Sequence, residues 1–351
     1  MNAIILKSRP QMKFHFGITS IENDTTLGTT SPICHSDTLW SALVDCCSKL
    51  GGEHLNRVLE WSHQGKIKLS SIFFYLQFNG KKILFLPVPT YLYTKRVKYE
   101  VHKKLKKIKY LSLGVIHNGI KPEKWFEDEC VIIDNEFVIM ANEVKGLNKI
   151  AALDIKIYSI VSEPKTRVSY KEEKGNFYYQ TNVSLCTDVN YSTGYYFLME
   201  HDLSPLEYNN FQKYLNLTLS FGLGGELSTG CGQFEGSLSE NDRPGYFEEN
   251  EFDCGIAQGN LFFSVSLSIP DADEINQSLC HTLVMRGGRR FSGNIRARVI
   301  EMLTEGAVFR GRISGSITNL TPAGLETPVL RNGKPLLLPL HHNYYPEESE
   351  L

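Results

Sequence analysis

The sequence predicts an α+β protein made of two βαββαβ domains, the first carrying a large basic insertion, and three observations lead there. Residues 1–90 read as strands, a helix with one apolar face, and an Asn-Gly hairpin. A second amphipathic helix and a further strand stand downstream, at 204–238. Between them lies a stretch of roughly 91–190, too long for an ordinary loop and therefore expected to carry function of its own.

Residues 3–6 and 12–17 read as short strands, with Lys13 and His15 alternating against Phe14 and Phe16 as in a half-buried strand. A helix begins at Ser36 or Asp37, either of which serves as a cap for free N–H groups. Leu39, Leu43, Cys46 or Cys47, and Leu50 then repeat on one face until Gly51-Gly52 ends it. Residues 71–78 and 83–88 are apolar and β-prone on either side of Asn79-Gly80, the strongest short hairpin signal. Strand, helix, hairpin is the first part of a ferredoxin-like (RRM-like) unit. A helix over 204–221, with Leu206, Phe211, Tyr214, Leu215 and Leu219 near one face, a glycine-rich turn and a strand at 233–238 complete it.

Arg243-Pro244-Gly245 and the acidic Glu248, Glu249 and Glu251 mark a domain boundary, dividing the chain into 1–242, with its insertion at about 91–190, and 243–351. The second domain has strands at 261–269 and 308–317, a helix at 294–305 and a Pro-punctuated end with Glu347, Glu348 and Glu350. It reads as a second, less regular ferredoxin-like unit.

A chain of 351 residues with 42% hydrophobic and 22% charged residues folds fully, and its length suits two domains. Lys+Arg 37 against Asp+Glu 39 leaves a net charge of -2, so any affinity for a polyanion must come from local clusters. None of the eight cysteines stands in a CxxC pair or beside spaced histidines, which argues against a metal. Neither a signal-peptide core nor a membrane-spanning apolar stretch is evident, and a reducing cytoplasm is the expected location. No cofactor is expected.

Four segments stand out. The run 222–232, GLGGELSTGCG, follows a helix and precedes a strand, the reverse of the order in a P-loop or dinucleotide fingerprint. Taken alone it reads as a helix C-cap and a tight turn. Its glycine density favours close approach to an RNA backbone, with Gly222, Gly224, Gly225, Gly230 and Gly232 offering N–H groups and Ser228 and Thr229 hydroxyls. The second segment, Lys103, Lys104, Lys106 and Lys107 around Leu105, suits a basic helix face packed by a stripe of Val101, Leu105 and Ile108. A solvated helix face is nearly as good an account. The third, 163–171, interleaves Lys165, Arg167 and Lys171 with Tyr170, which suits an extended phosphate contact with base stacking, or an ordinary surface strand. The fourth, Arg286-Gly287-Gly288-Arg289-Arg290, is a basic loop expected to meet RNA or an acidic neighbour. Catalytic groupings are poor. His15 or His35 could serve as the acid or base of metal-independent RNA cleavage, but a single histidine is more often structural and no partner base is identifiable by spacing. His341-His342 reads as a packing or solvated pair.

Residues 35–43, HSDTLWSAL, with Ser36 counted among the RNA-binding candidates, and 222–235, GLGGELSTGCGQFE, resemble the two signature segments of the RAMP superfamily of CRISPR proteins. The SDTLxSAL helix start, KKLKKIKYLS at 103–112, PKTRVSYK at 164–171 and EGAVFRGRI at 305–313 resemble the family of the fourth Csm subunit, part of the type III-A effector. The resemblance implies two ferredoxin-like domains and a non-catalytic RNA-binding subunit for antiviral defence. Such a subunit grips the repeat-derived 5′ tag of the CRISPR RNA and docks the large polymerase-like subunit. It also adjoins a backbone RAMP subunit and meets target RNA only indirectly. Backbone subunits that cut RNA carry an IPGSSLKG-like helix start; CHSDTLWSAL here argues against cutting. Glu226-Leu227 stands where a basic residue is frequent, which leaves backbone contacts rather than a side-chain one. A guide-maturing endoribonuclease and a pure assembly subunit are the lesser alternatives.

Overall fold

The computed structural model describes residues 1–7, 11–18, 27–95, 99–145, 152, 154–167, 176–238, 244–257, 259–287, 297–325 and 328–346, and every structural statement concerns these. β1 (Asn2–Leu6) and β2 (Lys13–Phe14) open the chain. α1 (Ser36–Leu50) turns Leu39, Trp40, Leu43, Cys46 and Cys47 inward, the stripe expected from their spacing. It gives way at Gly51 to α2 (Gly52–His63), a helix that the sequence reading missed. β3 (Ile67–Leu69) and β4 (Phe73–Phe78) follow, and both pair with one later strand on either side of Ser70 and Ser71. β4 turns through Asn79 (φ 48°) and Gly80 (φ 75°) into β5 (Lys81–Pro87). Two successive positive φ values match the twist of the flanking strands, which is why Asn-Gly marked the turn.

The insertion holds α3 (Tyr99–Leu105), β6 (Tyr110–Ser112), α4 (Leu113–His117), β7 (Cys130–Ile133), β8 (Phe137–Met140), β9 (Tyr158–Arg167) and β10 (Asn176–Leu185). α3 stops at Leu105, short of the helix expected to carry Ile108; Leu105 and Ile108 are nonetheless buried while Lys103, Lys104, Lys106 and Lys107 are exposed. β11 (Tyr191–His201) then returns to the first sheet. α5 (Pro205–Phe221) starts with a reciprocal capping box between Ser204 and Glu207. β12 (Ser237–Leu238), β13 (Pro244–Gly245) and β14 (Phe247–Glu251) end this half.

The main sheet runs β14-β1-β11-β4-β5-β6-β8-β7, with β3 beside β11. Two expectations change here. The strand between β1 and β4 is β11, which comes after the insertion, so the β4–β5 hairpin widens the sheet instead of completing its centre. The strand expected at 233–238 shrinks to β12, which pairs only with β13, and β14 lies on β1 in its place. β1 is buried at Ala3 to Leu6, so its outer edge needs a ladder partner; β14 supplies one, with Glu249 accepting from Asn2, Tyr208 and Gln212. The first sheet therefore runs past residue 242.

The second half comprises β15 (Leu261–Ser264), α6 (Ala272–Ile275), β16 (Ser278–Cys280), β17 (Leu283–Arg286), β18 (Ile300–Leu303), β19 (Val308–Arg310), β20 (Ser316–Asn319), β21 (Leu330–Gly333) and β22 (Leu337–Pro339). β16-β19-β15-β22 form one antiparallel sheet, and β17–β18 and β20–β21 are two-stranded ribbons. The helix expected over 294–305 is not formed in its described part, where Ile300 to Leu303 ladder against β17. Pairing along β17 wins over helical spacing, with Met302 and Leu303 buried.

One hydrophobic core passes through both halves, from Ile4, Leu39 and Phe197 to Phe263, Val308 and Leu338. A polar joint adds to it. Asp37 is fully buried and takes Arg286 through Nε at 2.9 Å and Nη2 at 3.0 Å, and Arg331 through Nη1 at 2.7 Å. It is therefore an ion-pair centre and not the helix cap expected, and Arg286 belongs to the interior and not to a surface loop. Glu305 reaches back to His35 (2.8 Å) and to the Ser71 hydroxyl. At the C-terminal end Tyr344 is buried, its hydroxyl 3.0 Å from the Val115 carbonyl, and Asn343 donates to Gly119 O.

Candidate nucleic-acid interface

The site is built on the β9–β10 ladder, whose register opposes Lys165 to Tyr178 and Glu163 to Gln180. Side chains alternate between faces along a strand, so Tyr178, Gln180 and Asn182 share one face with Lys165 and Glu163. β2 extends this small sheet by pairing Lys13 with Ser184, and Lys13 forms an ion pair with Glu163. Lys165 Nζ lies 3.5 Å from the other oxygen of Glu163. Lys13, through its hydrogen bond and charge, outweighs slight desolvation and holds the Glu163 carboxyl below its ordinary range. Two lysines around one carboxylate leave this face with surplus positive charge. On the opposite face Phe177 (62% exposed) and Tyr179 (56%) meet edge to face at 5.2 Å.

The glycine-rich run lies over the first face and behaves differently from what was expected of it. Gly222 ends α5, and its N–H goes to Thr218 and Leu219 carbonyls. The N–H groups of Gly225 and Gly232 donate to His15 O and Lys13 O, that of Leu223 to Gly232 O, and those of Gly230 and Cys231 to Leu227 and Glu226 carbonyls. Four of the five glycine N–H groups proposed to hold phosphate are thus engaged inside the protein, and two of them, on Gly225 and Gly232, fasten the run to the β2 segment. Tight backbone packing explains the glycines: an added Cβ at Gly232 would sit 2.1 Å from Leu223 O, and at Gly224 2.5 Å from His15 O. Ser228, Thr229 and Gly230 form its exposed tip.

Below that tip, Cys231 Sγ lies 3.7 Å from Gln180 Nε2 and 3.8 Å from Asn182 Oδ1, joining run and ladder. The structure therefore sets the glycine run on the ladder face that carries Lys165. α3 packs on the 3-10 turn Pro122–Phe126, with Lys103 and Lys104 exposed on it and Lys106 and Lys107 exposed just beyond its end. Ser36 is buried, its hydroxyl accepting from Leu267 N–H at 3.0 Å, which removes it from any RNA-facing role. Arg167 ends β9, while Tyr170, Lys171, Arg289 and Arg290 lie outside the described residues. Lys13, Phe177, Tyr178, Tyr179, Gln180 and Asn182 escaped the sequence reading. The run of three aromatics at 177–179 inside the insertion was the available signal.

Both candidate histidines are bonded within the fold: His15 is buried with Nδ1 2.7 Å from Thr181 O, and His35 is tied to Glu305. No group of His, Cys, Asp or Glu among the described residues is arranged to hold a metal, and no described helix is long and apolar enough to cross a membrane.

Residues 257–340 match the family model of the CRISPR Csm4 C-terminal domain. The chain is 26% identical over 386 aligned positions to the CRISPR system Cms protein Csm4 of Methanocaldococcus jannaschii, an alignment covering 97% of this chain and 98% of that protein. A chain of the Csm3-Csm4 subcomplex of the type III-A CRISPR-Cas interference complex superposes with a TM-score of 0.68 at 22% identity, covering 97% of this chain and all of the other. A chain of the Csm1-Csm4 cassette in complex with pppApA gives 0.54 at 17% identity, covering 97% and 98%. At such identities these superpositions establish a common α+β fold.

Proposed function

We propose that this chain, Csm4-like along its length, is a type III-A effector subunit that holds the 5′ repeat-derived tag of CRISPR RNA and joins a Csm1-like large subunit to a Csm3-like backbone. The observation that carries the RNA-holding part is the ladder face that bears Lys13, Lys165 and Tyr178, on which Cys231 of the glycine run contacts Gln180 and Asn182. Cations along an extended strand follow a phosphate backbone, and half-buried or exposed aromatics stack unpaired bases. Ser228 and Thr229 contribute hydroxyls from the tip; the α3 lysines, with Arg167, Tyr170, Lys171, Arg289 and Arg290, are assigned to guide or neighbour contacts. The partner assignment is supported by the assemblies in which similar chains were solved.

Cutting is not part of this role. His15 and His35 serve the fold through Thr181 and Glu305, which favours a holding subunit over a guide-maturing nuclease. Antiviral defence in the cytoplasm is the setting this implies. The ferredoxin-like reading of the first unit is supported by the order β14-β1-β11-β4, with α1 and α5 as its two crossovers, and that of the second by its four-stranded sheet.

The test is a salt series of binding to labelled RNA with and without the 5′ tag, for wild type and Lys165→Ala. Tag-dependent binding with a salt slope shallower by about one in the variant is expected. Equal, feeble binding to both RNAs would assign tag recognition to another subunit.

A further inference from the structure

Gln180 and Asn182 are each 1% exposed, yet they are left incompletely bonded. Gln180 Nε2 donates to Asn182 Oδ1 at 3.1 Å, and both touch Cys231 Sγ, while Gln180 Oε1 and Asn182 Nδ2 have no partner. Buried polar atoms without partners are rare, and two on adjacent same-face positions of one strand point to something that completes them. The chemistry of the pair narrows what that is. If both amides were turned over, their mutual bond would survive with roles exchanged, and the unpartnered atoms would still be one donor and one acceptor. A phosphate offers acceptors only and would face an amide oxygen. The edge of a nucleobase offers a donor and an acceptor side by side, as every base does on its pairing edge.

We infer that Gln180 and Asn182 form the floor of a pocket that takes the edge of one unstacked RNA base, reached when the Thr229–Cys231 tip swings aside. This rests on the RNA-holding reading above and gives it a base-reading element. The surroundings are suited to it. Tyr178 lies two residues along the same face, and Lys13 and Lys165 flank Glu163 across from Gln180. Cys231 and the exposed tip before it move together once Cys231 Sγ leaves the two amides: the Thr229, Gly230 and Cys231 N–H groups bond only to Glu226 and Leu227 carbonyls, and Gly230 has nothing within 4 Å of a would-be Cβ. The bonds of Gly225 and Gly232 to β2 hold its base in place meanwhile.

The experiment is an abasic scan. Full-length protein is titrated with a series of tag-bearing RNAs, each lacking one base. Wild type is expected to lose about 5- to 150-fold affinity at one position, the effect of one two-point base contact. A Gln180→Met/Asn182→Leu variant should bind intact RNA more weakly by a similar factor and become indifferent to that one missing base while keeping its response to the others. A wild-type scan with no position standing out overturns the inference without recourse to any variant. So does a variant that keeps the wild-type pattern or weakens on every RNA alike, which would leave the amides to a buried water. Wild type that binds none of the RNAs would overturn the RNA-holding reading itself, a result distinct from either of these.

Discussion

Asp37 shows how much one side chain can decide. Burial alone would raise its carboxyl, but Arg286 and then Arg331 reverse this and hold it well below the usual carboxylate range; Glu305, likewise buried, is lowered by His35. A carboxylate depressed in the folded state contributes stability that is fully present above its unfolded value, near 4, and is lost as pH falls toward the folded value. Acid titration of the wild type should therefore show stability falling below about pH 4. Asp37→Asn should flatten that slope and cost about 3–5 kcal/mol at neutral pH in urea unfolding, because two arginine charges stay buried with one neutral amide. An Asn variant as stable as wild type would contradict this. Such a role was not legible beforehand: Asp37 stands where a helix cap is expected, and its partners lie 249 and 294 residues away. Ser36 was misread for the same reason, its partner Leu267 being equally remote in sequence.

Among elements, local signals were read well and long-range pairings poorly. The Asn79-Gly80 turn, the apolar stripe of α1 and the stripe under the α3 lysines follow from period and turn chemistry, which neighbouring residues contain. The partner of β1 depends on which strand returns after a hundred-residue excursion, and nothing in YSTGYYFLMEH specifies that. The glycine run follows a helix as expected, but N–H groups assigned to a ligand go instead to carbonyls of α5, of the run itself and of the β2 segment. Gly232→Ala, at φ 72° and with a Cβ 2.1 Å from a carbonyl oxygen, should lower the melting temperature sharply. Gly230→Ala, in open space, should cost only about 1 kcal/mol, the strain of a left-handed residue. Equal effects of the two would mean that the run is not fastened as described. On β10, Phe177→Ala and Tyr179→Ala should leave thermal stability within about 0.5 kcal/mol, since both rings are exposed. Each should cost about 1–3 kcal/mol in single-stranded RNA binding if it stacks a base, measured by titration at fixed salt.

At the scale of the whole molecule, a single core and a buried ion-pair joint bind the two halves. Residues 1–256 alone would lack Phe263, Val265, Val308 and Leu338 of the shared core and leave Asp37 without Arg286 and Arg331, so this fragment should fail to unfold cooperatively. The full chain should give one calorimetric transition; two resolved transitions would contradict a shared core. Composition and length led to an expectation of two domains, and the interior that both halves share is a property of pairings across the full sequence. The Tyr344 anchor on Val115 and Gly119's acceptance from Asn343 add a matter of timing. Translation runs from the N-terminus, so α4 and the loop after it are made 229 and 224 residues before the Tyr344 and Asn343 that latch them. Throughout that interval the insertion is without its latch, and a nascent chain stalled before residue 340 should be cut by protease near 113–120 where a chain carrying the latch resists.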